Sequence, residues 1–162
     1  MKKALIALGA AVIAAPALAD PEYVTIEMGI DVAKPAEEVW AAVGGYCDIA
    51  EWLNVDCEIT SGDGGFGTVR VLAGGRVTEV LVAKTDLAYG YTQPAREGRF
   101  YDLYHGFMEA KPVDANSSRI VYTLVYDISD KPDQAAKDAD IERRRAMFQT
   151  ALENMKRIAE AQ

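Results

Sequence analysis

Residues 133–160 read DQAAKDADIERRRAMFQTALENMKRIAE, a run with no glycine and no proline. Asp130 and Pro132 stand just before it as start signals, and the pattern predicts one long helix over 133–160. Its apolar members are Ile141, Met147 or Phe148, Ala151 or Leu152, Met155 and Ile158. Successive members lie three or four positions apart, so they form one stripe that needs a surface to lie on. Glu142, Arg143, Arg144 and Arg145 are assigned to the solvated side of the helix, within i,i+3 or i,i+4 reach of nearby acids.

The surface comes from upstream. In residues 23–32, Val24, Ile26, Met28 and Ile30 alternate with mostly polar neighbours, the period of a half-buried strand. Lys34-Pro35-Ala36-Glu37-Glu38 opens a short helix: proline is tolerated in the first turn, and the two acids suit the positive end of the dipole. Val39, Trp40 and Val43 form its apolar face, and Gly44-Gly45 stops it. A second short helix is predicted over 47–53, carrying Ile49, Trp52 and Leu53. Strand signals then follow at 55–60, 66–72, 76–84, 87–93, 99–111 and 118–128, with Gly74-Gly75 as a tight reversal and residues 112–117 as a loop. The order is strand, two short helices, six strands and a long helix. Such a sheet cannot bury its concave face alone, and only the last helix is left to cover it. The fold class is therefore α+β: a curved antiparallel sheet of about seven strands wrapped around a long C-terminal helix, with a cavity expected between them.

Val32-Ala33-Lys34-Pro35-Ala36-Glu37-Glu38-Val39-Trp40, Gly67-Thr68-Val69-Arg70-Val71, Glu79-Val80-Leu81 and Tyr104 complete a pattern that resembles the START/Bet v 1-like (SRPBCC) superfamily. Within it the chain is most similar to the polyketide cyclase/dehydrase and lipid-transport group. The resemblance implies the helix-grip fold over residues 20–162. It also implies a cavity for lipids, hormones, polyketides or aromatic metabolites, with cyclisation or dehydration in some members. The Glu-x-Leu and later tyrosine positions are similar to pocket positions of plant abscisic acid receptors, which implies pocket roles for Glu79 and Tyr104. The chain departs from those receptors where the gate shrinks to Ala73-Gly74-Gly75 and where no lysine occurs between Val43 and Arg70.

The chain has 162 residues, 50% of them hydrophobic and 26% charged, which suits one domain with a core. With 17 basic against 25 acidic residues the net charge is −8, a balance that argues against nucleic-acid binding and against an electrostatic hold on anionic membranes. Lys2 and Lys3, an apolar run over 4–15 and Ala17-Leu18-Ala19 before Asp20 have the arrangement of a cleaved secretory leader over 1–19. The apolar run is shorter than the roughly twenty residues that a membrane-spanning helix needs, so no stable membrane anchor is expected. Export to a periplasm is the expectation. In that oxidising compartment Cys47 and Cys57 form a disulfide or remain as two buried thiols. A single histidine and this cysteine spacing match no metal pattern, and no cofactor motif is present.

Alternation places side chains once Glu79 and Tyr104 are taken as inward. Leu81 then follows Glu79, Tyr89 and Tyr91 share a face, Gly106 and Met108 follow Tyr104, and Tyr122, Leu124 and Tyr126 suit the concave side. The tyrosines either line a pocket, with hydroxyls as polar handles, or fill the core. Glu79 is the candidate acid–base residue, since burial of an unpaired carboxylate favours its protonated form; pairing with Arg70 would hold it ionised instead. Trp52 is a ligand contact or a core plug, and Trp40 belongs to the core. Met147 and Ala151 are the helix's candidate ligand contacts. His105, next to Tyr104, should face the opposite way. Gly62-Asp63-Gly64-Gly65-Phe66-Gly67 spells a dinucleotide fingerprint, but a strand follows it where that motif needs a helix, so it is read as a turn. Asn116-Ser117-Ser118 fits a glycosylation sequon that a bacterial leader makes irrelevant.

Three functions are compatible with these residues. The first is a binding protein for a hydrophobic or aromatic small molecule held by Trp52, Arg70, Glu79, Tyr91, Tyr104 and Tyr122. The second is a cofactor-free cyclase or dehydratase using Glu79 and a pocket tyrosine. The third is an accessory protein acting through its surface, with its protein partner open.

Overall fold

The computed structural model describes residues 21–95 and 103–162. The leader expected over 1–19, most of the loop at 94–98 and the start of the strand expected from 99 fall outside the described residues. The elements run β1 (Tyr23–Val32), α1 (Ala36–Val43), α2 (Ile49–Trp52), β2 (Cys57–Ser61), β3 (Val69–Leu72), β4 (Val77–Thr85), β5 (Ala88–Thr92), β6 (Tyr104–Asp114), β7 (Ser117–Asp127) and α3 (Gln134–Glu160). All strand pairs are antiparallel, in the order β1-β7-β6-β5-β4-β3-β2. This is an α+β helix-grip architecture, with β1 crossing by way of α1 and α2 to leave β2 at the far edge.

Register decides what faces inward. Ile26 pairs with Leu124 and Met28 with Tyr122, Tyr122 pairs with Met108, and Met108 with Tyr89. These residues form a buried concave face, continued by Tyr91, Leu81 and Leu72. α3 lies across it, packing on β1, α1 and α2. The helix begins where the side chain of Asp133 accepts from Ala136 N at 2.8 Å, satisfying one of its orphan N–H groups. Its far end is held by Lys156 Nζ on Asp31 O at 2.7 Å and by Ala33 N on Glu160 Oε1 at 3.0 Å.

Three local expectations change. Pro35 is the N-cap of α1, just before the first turn. The regular part of the second short helix is only 49–52, because residues 46–48 form a turn. The loop expected over 112–117 shrinks to a tight turn, since β6 runs on through Pro112 to Asp114. Proline is accommodated there because the ladder shifts register between Pro112 and Asp114, where pairing is already interrupted. The glycine-rich segment 62–67 is a turn between β2 and β3, with Gly62, Gly64 and Gly67 at positive φ.

The buried stripe of α3 also differs from the expected one. It consists of Asp140, Arg144, Phe148, Ala151, Leu152, Met155 and Ala159. Ile141 and Ile158 are half-buried beside it and Met147 is 38% exposed. Glu142, Arg143 and Arg145 are exposed, but Arg144 is turned inward, which corrects the assignment of all four to the solvated side. The reason is that an ion pair one helical turn long, Asp140 with Arg144, occupies two of the inner positions.

Candidate ligand cavity

A cavity of about 270 Å³ opens between α2, the β3–β4 turn, the inner strands and α3. Ile49, Leu53, Val55, Leu72, Val77 and Phe148 give it apolar walls, and Ala73 and Met147 also line it. Its polar groups are Glu79, Tyr91, Gln93, Tyr104 and Arg144. The volume is near the lower end of the ~300–1,000 Å³ usual for small-molecule pockets, and mostly apolar walls with a few convergent polar groups are their ordinary composition.

Arg70, from β3, is fully buried behind the Glu79 wall. Its Nε donates to Glu79 Oε2 at 2.8 Å, Nη2 lies 2.6 Å from the same oxygen, and Nη1 donates to the carbonyl of Tyr46. The guanidinium is stacked over the Tyr46 ring at 4.1 Å, with Tyr91 at 5.1 Å and Tyr89 at 5.7 Å. Burial disfavours its charge, but Tyr89 and Glu79 more than offset this and hold its pKa above the ordinary value. On the other oxygen, Glu79 Oε1 accepts from Gln93 Nε2 at 3.0 Å. Both oxygens of the candidate acid–base residue therefore accept from protein donors. The antiparallel register Arg70↔Glu79 makes this pair, since directly opposite residues share a face.

Tyr91 and Tyr122 meet with their hydroxyls 2.9 Å apart. Burial pushes both phenols well above the usual tyrosine range, so they remain protonated hydrogen-bonding groups. The pair depends on a glycine: Gly106 sits opposite Tyr91, and a Cβ there would lie 2.2 Å from Tyr91 Cζ. Only a residue without a side chain lets the ring lie flat across β6. The helix wall carries Arg144, whose Nε donates to Asp140 Oδ2 at 3.0 Å and whose Nη1 donates to the Tyr104 hydroxyl at 3.3 Å. Its guanidinium lies over the rings of Tyr126 at 4.4 Å and Tyr104 at 5.1 Å.

Of the residues singled out in the sequence, Glu79, Tyr91, Tyr104 and Met147 line the cavity. Arg70, Trp52, Tyr122 and Ala151 lie behind the wall: Trp52 is fully buried, edge-on to Tyr122 at a centroid distance of 6.2 Å, and fills the core. Leu81 and Tyr89 border a separate hollow of about 250 Å³ with Trp40 and Tyr46. Gly106 is covered on the concave side by Tyr91, and its backbone borders a shallow depression on the convex face together with His105. A disulfide joins Cys47 to Cys57, with Cα atoms 5.6 Å apart, and ties the approach to α2 to edge strand β2. Arg144 and Gln93 were not singled out for the cavity. Counting back by fours from Phe148 reaches Arg144 and then Asp140, a signal that a purely apolar stripe passes over. Among the described residues, no cluster of three or more His, Cys, Asp or Glu side chains is placed to hold a metal, and no helix is long and apolar enough to cross a membrane.

The sequence pattern of the polyketide cyclase / dehydrase and lipid transport family matches residues 23–160, from the first strand to the end of α3. The chain belongs to that family. Among solved structures, it is similar to Zhui aromatase/cyclase from Streptomyces, at 20% identity and a TM-score of 0.67 over 86% of this chain and 94% of that one. It is similar also to the allergen Ara h 8.0201, at 19% identity and 0.64 over 87% and 100%, and to XoxI from Bacillus cereus, at 18% and 0.66 over 82% and 93%. These likenesses show the fold, a curved antiparallel sheet gripping a long C-terminal helix. No curated protein sequence matches the chain. Membership in the polyketide cyclase/dehydrase and lipid-transport family indicates hydrophobic-ligand binding or cyclase/dehydrase chemistry as the general function. Where within that range this chain falls is a question for its own cavity.

Proposed function

We propose that this protein is an exported carrier that holds a hydrophobic or aromatic small molecule between the sheet and α3. The observation that carries the reading is the cavity itself, apolar on most sides and furnished with a few polar groups fixed by their neighbours. Those groups are better suited to holding than to proton transfer. Glu79 has an arginine on one oxygen and an amide on the other, and Tyr91 is a buried phenol that stays protonated. Entry is between α3 and the turn at 73–75. Export rests on the leader-like residues 1–19, and N-terminal sequencing of protein recovered from the periplasm should begin at Asp20.

The test is native mass spectrometry of gently purified protein, followed by organic extraction of what is released. A stoichiometric hydrophobic passenger is expected. Protein that is empty, and that also takes up none of a broad set of lipids and aromatics, would contradict the proposal. A cyclase or dehydratase reading keeps one observation in its favour, that Glu79 and Tyr91 face the same cavity. It requires turnover of the extracted compound that Glu79→Gln abolishes while binding persists.

A further inference from the structure

We infer that the cavity selects a hydrophobic ligand bearing a carboxylate, and that Arg144 makes the selection. This rests on the reading of the cavity as a binding site and adds the chemical class of its occupant. The two charged walls of the cavity differ. On the sheet side, Glu79 is met by Arg70 and Gln93, so one carboxylate faces one cation at close range and the pair is balanced. On the helix side, Asp140 is divided between two cations: Oδ1 accepts from Arg143 and Oδ2 from Arg144. Arg143 reaches Asp140 from the solvent side, 63% exposed, and takes one of its oxygens, so Arg144 meets the carboxylate through Nε, whereas Arg70 holds Glu79 with both Nε and Nη2. Arg144 is thus the less fully engaged of the two buried guanidiniums and the one that lines the cavity, in a chain whose net charge is −8.

Arg144 is also built to meet a carboxylate. The side chain is 10% exposed, and stacking over Tyr126 and Tyr104 fixes the plane of its guanidinium. Its Nη1 contact with the neutral Tyr104 hydroxyl, at 3.3 Å, is longer than the ~2.7–2.9 Å of a charge-assisted bond. A carboxylate arriving through the cavity would provide the stronger acceptor, in the planar geometry that guanidinium matches. Leu53, Val77 and Phe148 supply the wall for the apolar body of the same molecule.

The experiment is calorimetric titration of the purified protein with shape-matched sets: naphthoic acid, naphthalenemethanol and naphthylmethylamine, and decanoic acid with decanol. The acids should bind at least about tenfold tighter than the alcohols, equivalent to about 1.4 kcal/mol, with the amine weakest. Arg144→Met should bring the acids down to the affinity of the alcohols and move the alcohols by less than about twofold. Asp140→Asn, which removes the shared counter-charge and keeps Arg144, should widen the preference for acid. Equal binding of acid and alcohol by the unaltered protein overturns the inference without any variant having to fold. Arg144→Met weakening both ligand types alike also overturns it. In either case the carrier reading survives. If no compound of either set binds the unaltered protein, this inference fails, while the carrier reading stands or falls on the extracted passenger.

Discussion

Arg70 and Glu79 show how little a residue's type says about its task until its neighbours are known. The family resemblance implies an inward Glu79 on β4, and the strand pairing sets Arg70 directly opposite. From the sequence the carboxylate was equally readable as free or as paired. What decides is the distance, 2.6 Å to a guanidinium that is itself fully buried among tyrosine rings. Removing one partner leaves the other charge buried and unmatched, which costs about 3–5 kcal/mol. Arg70→Met and Glu79→Gln should therefore each lower the stability measured by urea unfolding by an amount of that order. The double replacement Arg70→Met with Glu79→Leu should cost less than Arg70→Met alone. Equal or additive losses would mean that the pair is not the unit described. Arg144 was hidden for the opposite reason. Three exposed charged residues surround it in sequence, and a charge run is ordinarily solvated; only the helical phase, counted from Phe148, points it inward.

At the scale of elements, α3 and α2 form the helical side of the cavity, and each is tied by a bond whose loss can be measured. Within α3, burial works against the Asp140 carboxylate, but its hydrogen bond and charge contact with Arg144 prevail and hold its pKa below the ordinary 3.8. The folded pKa is thus depressed. The stability this group contributes is fully present above 3.8 and is lost as the pH falls through the folded value. Stability measured against pH should decline in that acid range, and Asp140→Asn should flatten the decline while lowering stability at neutral pH. A variant whose acid limb matches the unaltered protein would remove Asp140 from this role. The cysteine pair ties the turn before α2 to β2 across a separation of ten residues, a closure worth roughly 2–3 kcal/mol by chain entropy. Reduction should lower the unfolding midpoint accordingly and weaken naphthoic acid binding, since Ile49 and Leu53 on that segment wall the cavity. Unchanged binding after verified reduction would show that α2 holds its place without the bond. Composition gave only the choice between disulfide and thiols, because pairing depends on how the α1–α2 turn folds back onto the sheet edge.

For the whole molecule, the long final helix and the strand run before it were enough to read a sheet wrapped around a helix, because period and order are local properties of the chain. The contents of the cavity were less legible. They depend on which inward residues are shielded by others: Tyr91 covers Gly106, Trp52 fills the core behind the wall, and Tyr89 turns to a different hollow. Alternation marks the strand residues among these as inward and cannot rank their depth. The same limit explains why the fold is shared with proteins whose names include an aromatase/cyclase and an allergen, since it leaves the inner surface free to vary. The most direct test is a methyl-resolved NMR titration of the protein with naphthoic acid. The methyl signals of Ile49, Leu53, Leu72 and Val77 should shift together and saturably, while those of Val82 and Val125 on the convex side stay in place. Shifts confined to the convex-side valines, or none anywhere at saturating ligand, would contradict a binding cavity between the sheet and α3.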